Sequence, residues 1–263
     1  MGGCNNTSGS MRSCEAYDSR TKVWRQLPPM HTARKEAAAA VHANKVYITG
    51  GVDSFCNSSV EVLTMTSTSP SGTINYAWTV VSFMCVPRRG HALLSSGGCL
   101  YAVGGCTDVT EYTCLRSVEK LSANGNQWEF VAPMTVVRHA AATVSLEGKL
   151  FVFGGYDGAS CSKSIECYNT AAAGGQAVAV EWEPVAGCQL PVENSSASAV
   201  ALADLPTGLH LTYYGQCLLQ GERYQPTKAK KEYSQKAVAK MMIAACKKEE
   251  IKEKKEMFQQ NSH

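Results

Sequence analysis

Pro133-Met-Thr-Val-Val-Arg138-His-Ala-Ala-Ala-Thr-Val-Ser-Leu-Glu147-Gly-Lys-Leu-Phe-Val-Phe-Gly154-Gly155 is the stretch on which the fold turns. A Pro-Met pair leads to an arginine. A run of small apolar residues follows, a Glu-Gly-Lys turn interrupts it, and a second apolar run stops at a glycine pair. Short apolar runs bounded by turn residues read as two β-strands joined by a tight turn. The same layout recurs at Arg34–Gly51 and Arg88–Gly105. The chain is therefore a repeat protein, and the repeat has to be read before anything else.

Four markers move in register. They are a glycine pair (Gly50-Gly51, Gly104-Gly105, Gly154-Gly155), a lone tryptophan (Trp24, Trp78, Trp128, Trp182), a methionine (Met30, Met84, Met134) and an arginine (Arg34, Arg88, Arg138). Tryptophan recurs at steps of 54, 50 and 54 residues, and the other three markers at 54 and 50. Each unit reads as four strands. The first is the small-residue run after the arginine, as in Ala37–His42 or Ala140–Leu146. The second ends in Gly-Gly. The third is Ser59–Leu63, Ser117–Leu121 or Ser164–Tyr168, and the fourth carries the tryptophan. Val118-Glu-Lys-Leu121 intersperses apolar and polar residues, which predicts a third strand with one face buried. Asn124-Gly125 favours the positive φ of a hairpin turn.

A period near 50 with four strands per unit is that of a propeller blade. Small residues in the first strand suit the crowded centre where blades converge. Gly-Gly supplies positive φ and close backbone approach. Tryptophan suits the space between blades, because an aromatic buries roughly 150–250 Å². The repeated arginine is expected to be partly buried and to bond loop carbonyls through its fork.

These residues resemble the kelch repeat. Glu15-Ala-Tyr17-Asp18, Trp24, Pro29-Met30, Arg34, Tyr47 and Gly50-Gly51 meet nearly every element of its pattern, and the third strands resemble the kelch-like (BTB-kelch) adaptor subfamily. The second unit departs from it, with Leu63 in place of tyrosine and a Ser/Thr-rich loop from Thr64 to Gly72. The last unit is degenerate: Pro191-Val-Glu-Asn194 stands where Pro-x-Arg belongs, and Tyr213-Tyr-Gly-Gln216 replaces the strand that should end in Gly-Gly.

The expected fold is all-β, a kelch-type β-propeller at residues 1–225 with blades at about 34–82, 88–131 and 138–184 and half blades at 1–28 and 192–218. Gly2-Gly3 sits where a second strand finishes, so the repeat starts in mid-blade. Kelch propellers commonly have six blades. The chain is then a piece of a larger propeller, a four-bladed ring closed by its two halves, or an open arc with exposed strand edges.

Charge separates the propeller from the tail. Residues 226–263 hold ten Lys and five acidic residues, leaving 15 basic and 17 acidic residues in 1–225. The propeller is thus near neutral and has no nucleic-acid footprint. The tail lacks Gly and is rich in Lys, Glu, Ala and Met, which predicts a solvated helix or disorder. No apolar run approaches the roughly 20 residues of a membrane helix, and no signal peptide is apparent at the start. Twelve cysteines include no Cys-x-x-Cys pair, so reduced thiols in the cytoplasm are expected.

Catalytic patterns are missing: there is no His-x-His, no His-Glu-x-x-His, no Gly-x-Ser-x-Gly and no P-loop. The chain is expected to be no enzyme and to need no cofactor or metal. Cys4, Cys56, Cys106 and Cys161 recur after Gly-Gly as small apolar fillers, or as redox-sensing thiols where a cation lies beside them. The resemblance implies a protein-interaction module that binds a protein or peptide on the face formed by the loops after Gly-Gly and those before the first strand. Carried over by position, the contact candidates are Lys35, Glu36, Arg89, His91, Cys106, His139, Tyr156 and Asp157. The family pattern also implies a substrate receptor for a cullin ubiquitin ligase if BTB and BACK regions are joined to it. An actin-associated kelch protein is the alternative. A kelch-fold copper radical oxidase is a third reading, but it needs a Tyr/Cys/His cluster that the sequence does not place.

Overall fold

The computed structural model describes residues 1–5, 9–67, 74–110, 113–121, 127–170, 181–196 and 199. These form sixteen strands and no helix. Strands β1 (Cys4–Asn5) and β2 (Gly9–Ser10) make a small hairpin, and β3 (Cys14–Asp18) and β4 (Val23–Leu27) make a two-stranded sheet. Three four-stranded antiparallel sheets follow. The first is β5 (Ala38–His42), β6 (Lys45–Thr49), β7 (Ser59–Ser67) and β8 (Ile74–Phe83). The second is β9 (Ala92–Ser96), β10 (Cys99–Val103), β11 (Val118–Leu121) and β12 (Trp128–Val131). The third is β13 (Ala142–Leu146), β14 (Lys149–Phe153), β15 (Ser162–Asn169) and β16 (Trp182–Asn194). Each sheet is a meander in chain order, as a propeller blade requires.

The blades stack face to face, so their middle strands are buried on both sides. In β10, Leu100 and Ala102 face the first blade while Tyr101 and Val103 face the third. In β14, Leu150 and Val152 join the cluster with the second blade, while Phe151 and Phe153 turn to the far side. A strand buried twice reads as a continuous apolar run.

Three tryptophans lie between blades. Trp78 packs with Cys14 and Met30 of the half blade, Trp128 with Ala38 and Val60 of the first blade, and Trp182 with Tyr101 and Val118 of the second. Burying one is worth about 4–6 kcal/mol at most. Trp24 differs: it is 65% exposed and packs on Tyr17. The other three tryptophans pack on the preceding sheet, and among the described residues no blade precedes the β3–β4 sheet to cover Trp24 in that way.

Four expectations change. Ala140 takes φ +50 and donates its N–H to Gly90 O, so the strand begins at Ala142. Glu119 is fully buried, so the polar residue of the third strand faces the interior and only Lys120 is partly exposed. The outer strand of the third blade continues through two register shifts to Asn194, past the expected boundary at 184 and into the expected half blade. Arg34, Arg88 and Arg138 are fully buried rather than partly so. The rest of the half blade at 192–218, the Asn124-Gly125 turn and the tail 226–263 lie outside the described residues. No helix is long and apolar enough to cross a membrane among the described residues.

Candidate ligand-binding face

The Gly-Gly pairs set the geometry of one end of the stacked blades. The second glycine of each pair donates its N–H to the carbonyl at the arginine position one unit on: Gly3 to Arg34 at 2.7 Å, Gly51 to Arg88 at 2.8 Å, Gly105 to Arg138 at 2.8 Å. Gly155 makes the same bond to Asn194 at 2.7 Å, which places Asn194 in the arginine position of the degenerate unit. Gly2-Gly3 therefore occupies the expected place in the repeat.

Two residues beyond each arginine the chain takes positive φ, at Glu36, Gly90, Ala140 and Ser196. These residues are stitched together across the blades: Gly90 N–H to Glu36 O at 2.9 Å, Ala140 N–H to Gly90 O at 2.8 Å, Ser196 N–H to Ala140 O at 2.7 Å. The ladder fixes the loops before each first strand in one register. It also accounts for non-glycine residues held in a left-handed conformation, which needs support from the surroundings.

Beneath the loops lies a repeated buried ion pair that the sequence pattern does not reveal. Arg34, Arg88 and Arg138 each meet a buried carboxylate at 2.8 Å, on Glu61, Glu119 and Glu166. The same guanidinium donates to the carbonyl of the first glycine of the pair and to a serine at or beside the start of the third strand, as Arg88 does to Gly104 O and Ser117 O. Each carboxylate also accepts N–H groups of the loop before the arginine, such as Cys85 and Val86 on Glu119. The signal was present as a glutamate in every third strand, but alternation reads it as solvent-facing.

Above this layer three successive blades meet. The Glu36 carboxylate lies 2.7 Å from Arg89 Nη1 and 3.6 Å from His139 Nε2. His139 first, then Arg89, hold that carboxyl down to about 2, against the burial that opposes them. The His139 ring lies over Gly90, where a Cβ would collide with it. Arg89 Nε also donates to Asp108 O at 2.6 Å.

The remaining candidates are more scattered. Lys35, Arg89 and His139 form backbone bridges with Val52, Cys106 and Tyr156, the residues just after each Gly-Gly. Tyr156 is half-buried and donates to Gly158 O at 2.8 Å. Asp157 is exposed, and its carboxylate caps its own loop through the N–H groups of Ala159 and Ser160. Cys106 is fully buried and has no surface to offer a partner. His91 is inside as well. Its Nε2 sits 2.8 Å from Thr49 Oγ1, and the space it fills exists because Gly50 has no side chain. Both belong to the support of the face rather than to its surface. Among the described residues no three His, Cys, Asp or Glu side chains are grouped as metal ligands.

Burial, with Arg88 and Arg34 nearby, pushes His91 down to about 3. In the unfolded chain it titrates near 6.5. Below that value the unfolded state binds a proton the native state refuses, so stability present above pH 6.5 falls as pH drops toward 3. The slope is about 1.4 kcal/mol per pH unit for one proton. Glu36 adds a loss of the same sign, confined to the window from 4.5 down to about 2. Urea midpoints between pH 6.5 and 4.5 therefore isolate His91: the dependence is expected to flatten by about one proton in His91→Gln. Equal slopes for the two proteins would rule this origin out.

A family model described as "Kelch motif" matches residues 1–31, 33–67, 87–135 and 138–172, together more than half of the chain. Kelch-like protein 25 of Rattus norvegicus is 37% identical over 128 residues, which cover 46% of this chain and 21% of that protein. Kelch-like protein 36 of Bos taurus is 26% identical over 172 residues, covering 64% of this chain and 27% of that protein. The match thus spans about a fifth to a quarter of these relatives' length. A solved structure named "Structure of YjhT" superposes with a TM-score of 0.56 at 14% identity, over 75% of this chain and 67% of that one, a likeness of fold alone.

Proposed function

Because the chain belongs to the kelch-repeat family, we propose that it is a protein-interaction module whose ligand lies on the Gly-Gly end of the blades. The observation that carries this reading is the convergence of Glu36, Arg89 and His139, one residue from each of three successive units. Glu36 keeps 40% of its side chain exposed while its partners sit lower. Charged groups held rigidly on loops over a fixed scaffold favour recognition of a partner, because little ordering is needed on binding. Lys35, Tyr156 and Asp157 frame this centre.

The finer form of the proposal is a substrate receptor for a cullin ubiquitin ligase, acting in the cytoplasm through BTB and BACK regions joined to the propeller. It rests on the resemblance to the kelch-like subfamily, and co-purification of a cullin with the full gene product is its test.

The face itself is tested with a peptide selected from a display library on the full chain. Lys35→Ala, Glu36→Gln and Tyr156→Ala are each expected to raise Kd about tenfold, or 1.4 kcal/mol. Glu147→Lys, in the turn at the other end of the third blade, is expected to leave Kd unchanged. The reverse pattern would move the ligand to the opposite end.

A further inference from the structure

The hairpin that follows each Gly-Gly carries a cross-strand pair: Cys4 with Ser10, Val52 with Cys56, Cys106 with Cys114, Tyr156 with Cys161. In the second blade alone, among the described residues, both members are cysteines. Their sulfurs lie 3.1 Å apart. Thr107 N–H donates to Thr113 O and Leu115 N–H to Gly105 O, on either side of the pair. That is the non-hydrogen-bonded site of an antiparallel ladder, with Cα atoms about 4.5 Å apart, inside the range of roughly 4.4–6.8 Å that a disulfide spans. Cys114 is half-buried and reachable, whereas Cys106 is fully buried beneath it. The Arg89 guanidinium is the nearby cation.

We propose that Cys106 and Cys114 form a reactive dithiol that closes reversibly into a disulfide when the protein meets a peroxide. The roles follow from access and charge. Either sulfur can donate across the contact; when the reachable Cys114 is the one ionised, the Cys106 thiol donates to it, and that bond, helped by Arg89 against the effect of burial, holds the Cys114 thiol below its usual range. The Cys114 thiolate attacks one oxygen of hydrogen peroxide. The O–O bond breaks, the departing hydroxide takes up the proton that Cys114 had released and leaves as one water, and Cys114 becomes a sulfenic acid. The Cys106 sulfur then displaces the hydroxyl, and its proton leaves with that oxygen as a second water. Two thiols and one peroxide yield one disulfide and two waters, and an external dithiol reverses the change by exchange. Oxidation removes an anionic sulfur from beside Arg89 and ties the two sides of the hairpin together. The inference does not depend on the chain binding a partner.

The test uses the full chain, reduced and desalted, then exposed to hydrogen peroxide and alkylated under denaturing conditions. Mass spectrometry is expected to show a species lighter by two hydrogens in which the peptides on either side of Glu111 stay joined until dithiothreitol is added. Cys114 is expected to be lost about tenfold faster than the exposed Cys85, whose thiol is raised by burial and by Glu119. In Cys106→Ser the resolving sulfur is gone, so Cys114 is expected to accumulate as a sulfenic acid trapped by dimedone. In Cys114→Ser, Cys106 is expected to remain a thiol. Loss of Cys85 or Cys99 ahead of Cys114, or a Cys99 cross-link in place of the Cys106–Cys114 one, would overturn the proposal.

Discussion

Glu119→Ala is expected to destabilise the protein by about 3–5 kcal/mol, the effect of breaking a buried ion pair by removing one partner. The carboxylate is fully buried and holds both Nε and Nη2 of Arg88, at 3.0 and 2.8 Å. Removing it leaves an unpaired guanidinium in the interior and strips the acceptor from the N–H groups of Cys85 and Val86, each worth about 1–3 kcal/mol when left unsatisfied. Against a total stability of about 5–15 kcal/mol this is a large share. Arg88→Met with Glu119→Leu removes the stranded charge and is expected to recover part of the loss, though not the two N–H bonds. The control is Lys120→Ala. Lys120 pairs with Glu129 at 2.9 Å, but the two side chains are 27% and 62% exposed, so its loss should be under about 1 kcal/mol. Urea denaturation of the three variants decides the matter. A midpoint for Glu119→Ala no lower than that of Lys120→Ala would remove the ion-pair layer from the account of stability.

Gly104→Ala is expected to lower stability by about 2–5 kcal/mol, from the strain of a left-handed residue plus overpacking. Gly104 has φ +64, and an added Cβ would run into the carbonyl oxygen of Arg138 and come within 3.1 Å of Met134 Cε. That carbonyl accepts the Gly105 N–H and carries the chain into the loop of His139, so it cannot retreat without opening the joint between the second and third blades. Gly98→Ala separates the two contributions. Gly98 has φ +74 and nothing within 4 Å of an added Cβ, so only the conformational term of about 1 kcal/mol applies. Thermal or urea unfolding of both variants reads the difference directly. Equal losses at the two positions would show that close approach of the blades is not what the glycine pair provides.

The strand pairs, the Gly-Gly stops, three interblade tryptophans and the three full blades were legible because each is a local pattern repeated in register, and repetition multiplies weak signals. Arg34, Arg88 and Arg138 were visible as markers for the same reason. Their partners were not. Glu61, Glu119 and Glu166 lie 27, 31 and 28 residues further along the chain. A polar residue at an alternate strand position looks the same whether its face meets water or the next blade. Their place in loops marks His91 and Cys106 as surface candidates. Only the packing shows that one fills the space beside Gly50 and the other lies under Cys114.

The sequence by itself determined the period, the blade and the family, since these depend on spacing along the chain and on which backbone conformations glycine allows. Tertiary structure decided which faces are buried, how the arginines are neutralised, and that Glu36, Arg89 and His139 meet at one end. Those outcomes depend on distances between residues that are 27–31 positions apart within one blade, or about fifty apart in neighbouring blades, and such distances exist only once each blade has formed and its neighbours have stacked on it.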